Sequence, residues 1–339
     1  MKKFDLKDLV RQNIWNLKPY SCARDEFLGD KGVFFDANEN PYGSKNRYPD
    51  PHQRELKKAL SAIKCVPEKN IFIGNGSDEI IDLVYRIFCY PGKDNVIICP
   101  PTYGIYEVSA QINNVNIIRI PLTEDFQLNT EEILRSSAKC IFICSPNNPT
   151  GNCIHNIDKI LDNFNGIVVI DEAYIDFSYS DGYLNKLSEY SNLIIMQTFS
   201  KAPALASARI GVAYSSEDIT GLMDKTKPPY NVSTFNLKEA LKVLSRPNKY
   251  RKRLDLIIEQ RIFLKKELQQ LPVVKHIYPS DANFLLVEVS DAEKIYQHLV
   301  SENIIVRNRN AVVQNCLRIT VGKPKENKKL LIALHKLSG

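Results

Sequence analysis

Between residues 70 and 215 the chain alternates short, unbroken apolar runs with stretches of helical period. Ile71-Phe72-Ile73, Val96-Ile97-Ile98-Cys99, Cys140-Ile141-Phe142-Ile143, Ile167-Val168-Val169-Ile170 and Leu193-Ile194-Ile195-Met196 show no polar alternation. A strand with both faces buried reads this way, and a sheet of such strands is mainly parallel, with helices on both faces. Between the first two runs, Ile80, Ile81, Val84, Ile87 and Phe88 recur on one helical face, with Ser77 and Asp78 at its start and Pro91-Gly92 at its stop.

After about residue 235 the texture changes. A long helical stretch runs to Leu271, with Pro247 placed to break or kink it. Strand-like segments follow at Asn283–Val289, Ile304–Val306 and Cys316–Val321, separated by helical pattern. The pattern predicts an α/β protein with a large mainly parallel sheet between helices and a smaller α+β domain. The expected divisions are an N-terminal arm over 1–35, a large domain over 36–235 and a small one over 236–339.

Charge and composition narrow the function classes. A length of 339 residues exceeds the usual single core, which agrees with two domains. Net charge is only +6, and the densest basic stretch, Lys249 to Lys266, mixes cations with apolar residues at helical spacing. That describes a solvated helix face, and no nucleic-acid-reading module accompanies it. No apolar run reaches the roughly 20 residues that span a bilayer, and the start lacks the apolar core of a secretory signal. A cytoplasmic enzyme is the expectation. The eight cysteines contain no C-x-x-C pair, so buried free thiols are expected in place of disulfides or a metal site.

Candidate chemistry falls where the apolar runs end. Open α/β sheets bind ligands at the carboxyl ends of their strands. One run leads into Gly74-Asn75-Gly76-Ser77-Asp78-Glu79, a glycine turn opening a helix and thus a candidate phosphate site. Another leads into Ser145-Pro146-Asn147-Asn148-Pro149-Thr150-Gly151-Asn152, a loop stiffened by two prolines. A third ends in Asp171-Glu172-Ala173-Tyr174, whose buried aspartate calls for a cationic partner. The last delivers Thr198-Phe199-Ser200-Lys201, with Arg209 eight residues on. An amine beside hydroxyls and a guanidinium suits imine formation next to a phosphate. Pyridoxal phosphate accounts for all four: an aldehyde for Lys201, a phosphate for the turn and Arg209, and a pyridine nitrogen for Asp171. Tyr103, in Pro100-Pro101-Thr102-Tyr103, is placed to stack on its ring.

These segments, with Ala37-Asn38-Glu39-Asn40-Pro41, Arg47-Tyr48-Pro49-Asp50-Pro51, Pro229-Tyr230-Asn231 and Leu317-Arg318-Ile319-Thr320-Val321-Gly322, stand in an order that resembles the fold-type-I pyridoxal-phosphate aminotransferases over nearly the full length, and most closely the histidinol-phosphate aminotransferases. The resemblance implies that Lys201 forms the imine and moves the substrate proton, Asp171 pairs with the ring nitrogen, and Asn148 and Tyr174 bind the ring hydroxyl. It places Gly76, Ser77, Asp78, Thr198, Ser200 and Arg209 around the phosphate, with Tyr48 reaching the same phosphate from the neighbouring subunit of a homodimer. Arg318 and Arg307 would bind substrate anions, and Tyr20 on the arm would help close over them. Histidinol phosphate and glutamate would share that site, since a guanidinium grips either oxyanion bidentately.

One departure stands out: where the family has a Gly-Leu-Ala-Gly segment after its lysine, this chain runs Ala202-Pro203-Ala204-Leu205-Ala206-Ser207-Ala208. Aldehyde chemistry should survive, because lysine and arginine keep their spacing, whereas substrate preference is less constrained. An aromatic aminotransferase, a threonine-phosphate decarboxylase and a non-catalytic cofactor-holding module stay open as alternatives.

Overall fold

The computed structural model describes residues 5–21 and 32–337. Two short helices, α1 (Leu6–Leu9) and α2 (Gln12–Trp15), open the chain. Then come α3 (Arg54–Lys64), β1 (Ile71–Asn75), α4 (Ser77–Phe88), β2 (Asn95–Ile98), α5 (Ile105–Ile112), β3 (Asn116–Arg119) and α6 (Thr130–Arg135). They are followed by β4 (Cys140–Cys144), α7 (Ile157–Asn163), β5 (Ile167–Asp171), β6 (Leu193–Thr198), β7 (Ile210–Ser215), α8 (Glu217–Thr226) and α9 (Thr234–Leu244). The last third holds α10 (Pro247–Leu268), β8 (Val274–Ile277), β9 (Phe284–Val289), α11 (Ala292–Ser301), β10 (Arg307–Asn308), β11 (Cys316–Thr320) and α12 (Pro324–His335).

Seven strands form one sheet in the order β1-β7-β6-β5-β4-β2-β3, parallel except at β7, which runs antiparallel to both its neighbours. The unbroken apolar runs have a direct cause: both faces are buried. Ile71, Ile73, Ile141, Ile143, Val168 and Ile170 face one core. Phe72, Phe142, Val169, Ile194 and Met196 face the other. Phe142 lies between the rings of Tyr85 and Tyr106, at 5.2 and 5.0 Å between centroids. Truncating it to alanine would cost about 3–5 kcal/mol.

The second sheet is antiparallel, ordered β10-β11-β9-β8. Leu285, Val287, Leu317 and Ile319 on one face pack on Leu264, Leu268, Leu330 and Leu334 of α10 and α12. The opposite face carries Phe284, Leu286 and Arg318, in register across β9 and β11. Pro247 starts a new helix at its first position, where its missing N–H costs nothing, so the expected long helix is two.

Three strands have no counterpart in the apolar pattern. β3 and β8 are edge strands with half-exposed positions, and β7 is rich in small residues. The strand expected at Ile304–Val306 forms instead at Arg307–Asn308, where the partners on β11 lie. The described part of the arm packs on the helices of the large sheet: Arg11 N–H donates to the Ile87 carbonyl at 2.9 Å, and Leu9, Val10 and Ile14 enter that core. No helix among the described residues is long and apolar enough to cross a membrane. The seven described cysteines are free thiols, five of them buried; Cys22 lies outside the described residues.

Candidate active site

The carboxyl ends of five strands of the large sheet, β1, β2, β4, β5 and β6, converge on one cleft. Ser77, Asp78, Tyr103, Asn148, Asp171, Tyr174, Thr198, Ser200, Lys201, Arg209 and Arg318 line it, so eleven separately expected residues come together.

At the end of β1, Gly76 caps α4 with φ 76°, a conformation that glycine adopts without strain. A Cβ there would also sit 2.6 Å from the Arg209 guanidinium. Gly211 on β7 is equally constrained, since a Cβ would lie 2.5 Å from Ser77 N. These two glycines let the guanidinium and the first N–H groups of α4 approach each other. Arg209 donates to Asp78 Oδ2 at 3.0 Å and to Ser200 Oγ at 3.4 Å. Asp78 also accepts from the Tyr103 hydroxyl at 3.4 Å, so its carboxylate orients two neighbours. Ser77 Oγ is buried and has no hydrogen-bond partner. An unsatisfied hydroxyl at a helix N-terminus beside a guanidinium fits a phosphate.

The two asparagines of the proline loop divide their work. Asn147 ties the loop together, donating to the Pro101 carbonyl and Thr150 Oγ1, both at 2.8 Å. Asn148 instead accepts from Arg318 Nη1, which joins the second sheet to the cleft wall. Arg318 also lies 5.3 Å over the Phe284 ring, whose edge meets Tyr174 at 5.2 Å.

Asp171 ends β5 with 3% of its surface exposed. Its carboxylate accepts from the Tyr106 hydroxyl at 2.6 Å and the Ala173 N–H at 3.0 Å. Burial raises its pKa, and these two donors and the Lys201 charge oppose the rise. A buried carboxylate whose hydrogen bonds come from neutral groups fits a protonated ring nitrogen as its missing cation. Lys201 Nζ lies 5.4 Å from the Tyr174 ring centroid. Burial lowers its pKa, helped by Arg318 and then Arg209, with Asp171 and Asp78 opposing. Such an amine gives up its proton more readily than a surface lysine.

Gly76 contributes from just behind Arg209. Besides Gly76, three expected residues do not line the cleft. Tyr48 is half exposed and stacks on Tyr230 at 4.4 Å. Tyr20 is 73% exposed at the end of the described arm. Arg307 stands opposite Arg318 in the β10–β11 register. Tyr106 escaped the sequence reading, although it sits three residues after Tyr103, and its ring meets the Tyr103 ring edge-on at 5.5 Å.

The arrangement defines a pyridoxal-phosphate-dependent transferase, and comparison agrees. The family model "Aminotransferase class I and II" matches residues 36–334. The histidinol-phosphate aminotransferase of Cytophaga hutchinsonii is 50% identical, covering 98% of this chain and 99% of that protein. That of Parabacteroides distasonis is 52% identical, covering 97% and 98%. The crystal structure of the Clostridium acetobutylicum histidinol-phosphate aminotransferase superposes with a TM-score of 0.79 at 25% identity, covering 87% of this chain and 91% of that one. A Sinorhizobium meliloti structure of the same name, in complex with pyridoxal 5′-phosphate, gives 0.79 at 22% identity, covering 89% and 90%. The chain belongs to the class I and II aminotransferases and, within them, to the histidinol-phosphate aminotransferases. It is a transaminase, with pyridoxal 5′-phosphate as cofactor.

Proposed function

We propose that this chain transfers an amino group reversibly between L-histidinol phosphate and 2-oxoglutarate, giving imidazole-acetol phosphate and L-glutamate, in the cytoplasmic synthesis of histidine. One observation carries the reading: Arg318 reaches from the small sheet to Asn148 in the cleft, and its Nε is buried without a partner. A guanidinium so placed receives a substrate oxyanion, phosphate in one half-reaction and carboxylate in the other. The names and identities of the relatives support the substrate pair.

When bound, pyridoxal phosphate supplies a ring that accepts the electron pair of a broken substrate Cα–H bond. Asp171 holds the proton on the ring nitrogen. Lys201 would hold and move the substrate Cα proton at its Nζ, a task its lowered pKa suits. Gly76, Ser77, Asp78, Thr198, Ser200 and Arg209 would surround the phosphate, with the Ser77 hydroxyl and the Arg209 guanidinium as its donors. Tyr103 would pack on the ring, and Asn148 and Tyr174 would hydrogen-bond its hydroxyl. Arg307 assists Arg318, and Tyr20 closes over the substrate. Residues 36–235 serve as the cofactor domain and 236–339 as the smaller one, with the arm over 1–35.

The enzyme works as a homodimer in which Tyr48 reaches the partner's phosphate site. Support comes from its half-exposed side chain outside its own cleft and from exposed Phe35, Tyr42 and Phe235. The test of function is an absorbance half-reaction. Cofactor-loaded protein is mixed in parallel with L-histidinol phosphate, L-phenylalanine and L-threonine phosphate. Loss of the yellow band with histidinol phosphate is expected. Faster loss with phenylalanine, or carbon dioxide released from threonine phosphate, would overturn the reading.

A further inference from the structure

The second sheet holds a third arginine that the reaction as described does not use. Arg307 pairs with Arg318 across β10 and β11, and Asn308 with Leu317. The Arg309 N–H continues the ladder by donating to the Cys316 carbonyl at 2.9 Å. Side chains alternate along a strand, so Arg307 and Arg309 share one face, and Cys316 and Arg318 stand opposite them on that face. Asn308 marks the other face, where its amide donates to Glu293 of α11 at 2.8 Å. Three guanidiniums therefore gather on one face of the sheet, and Arg318 is the one of them that lines the cleft.

Their charges are uncompensated. Among the described residues neither Arg307 nor Arg309 forms an ion pair or a side-chain hydrogen bond, and Arg318 has Asn148 alone as hydrogen-bond partner. The acid on this face, Glu288, lies in register with Cys316, one strand beyond, and pairs with neither arginine. The Nε atoms of Arg309 and Arg318 are both buried without a partner. Arg309 is pushed toward losing its proton by burial and then by the charges of Arg318 and Arg307. Three clustered cations with two unsatisfied buried donors are costly unless an anion of more than one charge joins them.

We propose that Arg309 reads the second negative charge of a phosphate monoester, and so sets the preference of the substrate site for phosphate over carboxylate. The inference rests on Arg318 being the oxyanion site. A phosphate monoester carries about −1.5 to −2 near pH 7 and three acceptor oxygens, against one charge and two oxygens for a carboxylate. Arg318 and Arg307 satisfy the carboxylate, and the third guanidinium has a function only with the dianion. The interaction is made equally before and during the reaction, so its loss should appear in KM with kcat preserved.

The experiment compares wild type, Arg309→Gln and Arg309→Lys as cofactor-loaded enzymes in both half-reactions. For Arg309→Gln we expect KM for histidinol phosphate to rise about ten- to a hundredfold, as for a lost hydrogen bond to a charged group. KM for glutamate should stay within about threefold and kcat should hold. Arg309→Lys should recover part of the loss, as a charge without the fork. Wild-type kcat/KM for histidinol phosphate should rise through about pH 6 with the second phosphate ionisation, and this rise should flatten in Arg309→Gln. Equal losses for both substrates would make Arg309 merely structural and overturn the inference, as would no loss at all. A wild type that reacts with glutamate and not with histidinol phosphate would remove the functional reading and this inference together. An unaffected Arg309→Gln in an enzyme that does use histidinol phosphate removes the inference alone.

Discussion

The hydroxyl of Tyr106, on α5, donates to Oδ2 of Asp171, at the end of β5, across 2.6 Å inside the protein. Tyr106 is fully buried between Phe142 and Tyr103, so the bond is set by packing before any ligand arrives. It opposes the rise that burial imposes on the Asp171 pKa.

Tyr106→Phe should therefore raise the pKa of Asp171 further. Cofactor affinity of the apoenzyme should fall about tenfold near neutral pH, the usual worth of a hydrogen bond to a charged group. The loss should deepen on acidification, because a protonated Asp171 cannot pair with a ring cation. Absorbance titration with pyridoxal phosphate at several pH values checks this, and unchanged affinity would refute the role.

Arg318→Ala should weaken glutamate and histidinol phosphate alike, by about ten- to a hundredfold in KM each, since one guanidinium serves both. It also frees Asn148, its hydrogen-bond partner. A loss confined to one substrate would mean separate anion sites.

Glu172 gives the fold a pH dependence. Its carboxyl accepts from the Tyr183 N–H at 2.6 Å and from Gln197 at 3.0 Å, yet burial pushes its pKa up to about 7. The folded state thus binds a proton that the unfolded state releases. Its stabilising share is complete below the unfolded pKa and is lost as pH rises through about 7, in all about 3 kcal/mol. Glu172→Gln should keep the fold and flatten the fall in urea midpoint between about pH 5 and pH 8. Parallel curves would show that Glu172 is not the group responsible.

Ala204 occupies the segment where relatives were expected to carry glycine, and it adopts φ 59°. An L residue there is strained by about 1 kcal/mol, more than glycine's extra freedom in the unfolded chain offsets. Ala204→Gly should stabilise the protein by somewhat under 1 kcal/mol in urea titration. Destabilisation would mean that the methyl group has a packing role.

Periodicity exposed β1, β2, β4, β5 and β6 because their two faces meet two cores, which removes polar alternation. β3 and β8 stayed hidden because edge strands mix exposed and buried positions. At the site, Lys201, Asp171, Asn148, Ser77 and Arg209 were readable because each ends an apolar run or opens a turn. Tyr106 was not, since a tyrosine on an amphipathic helix has the same pattern whether it packs or donates a hydrogen bond. Arg309 looked like any surface cation, because only the β10–β11 register puts it beside Arg307 and Arg318.

The strands buried on both faces, the turn glycine, the lysine and the arginine eight residues beyond were legible along the chain, since burial period and backbone requirements are local properties. Tertiary structure alone decided which polar groups meet. Asn148 faces Arg318 from 170 residues away, and Asp78 faces Arg209 from 131 away. Those pairings depend on strand order and on how the second sheet packs against the cleft, neither of which leaves a local period in the chain.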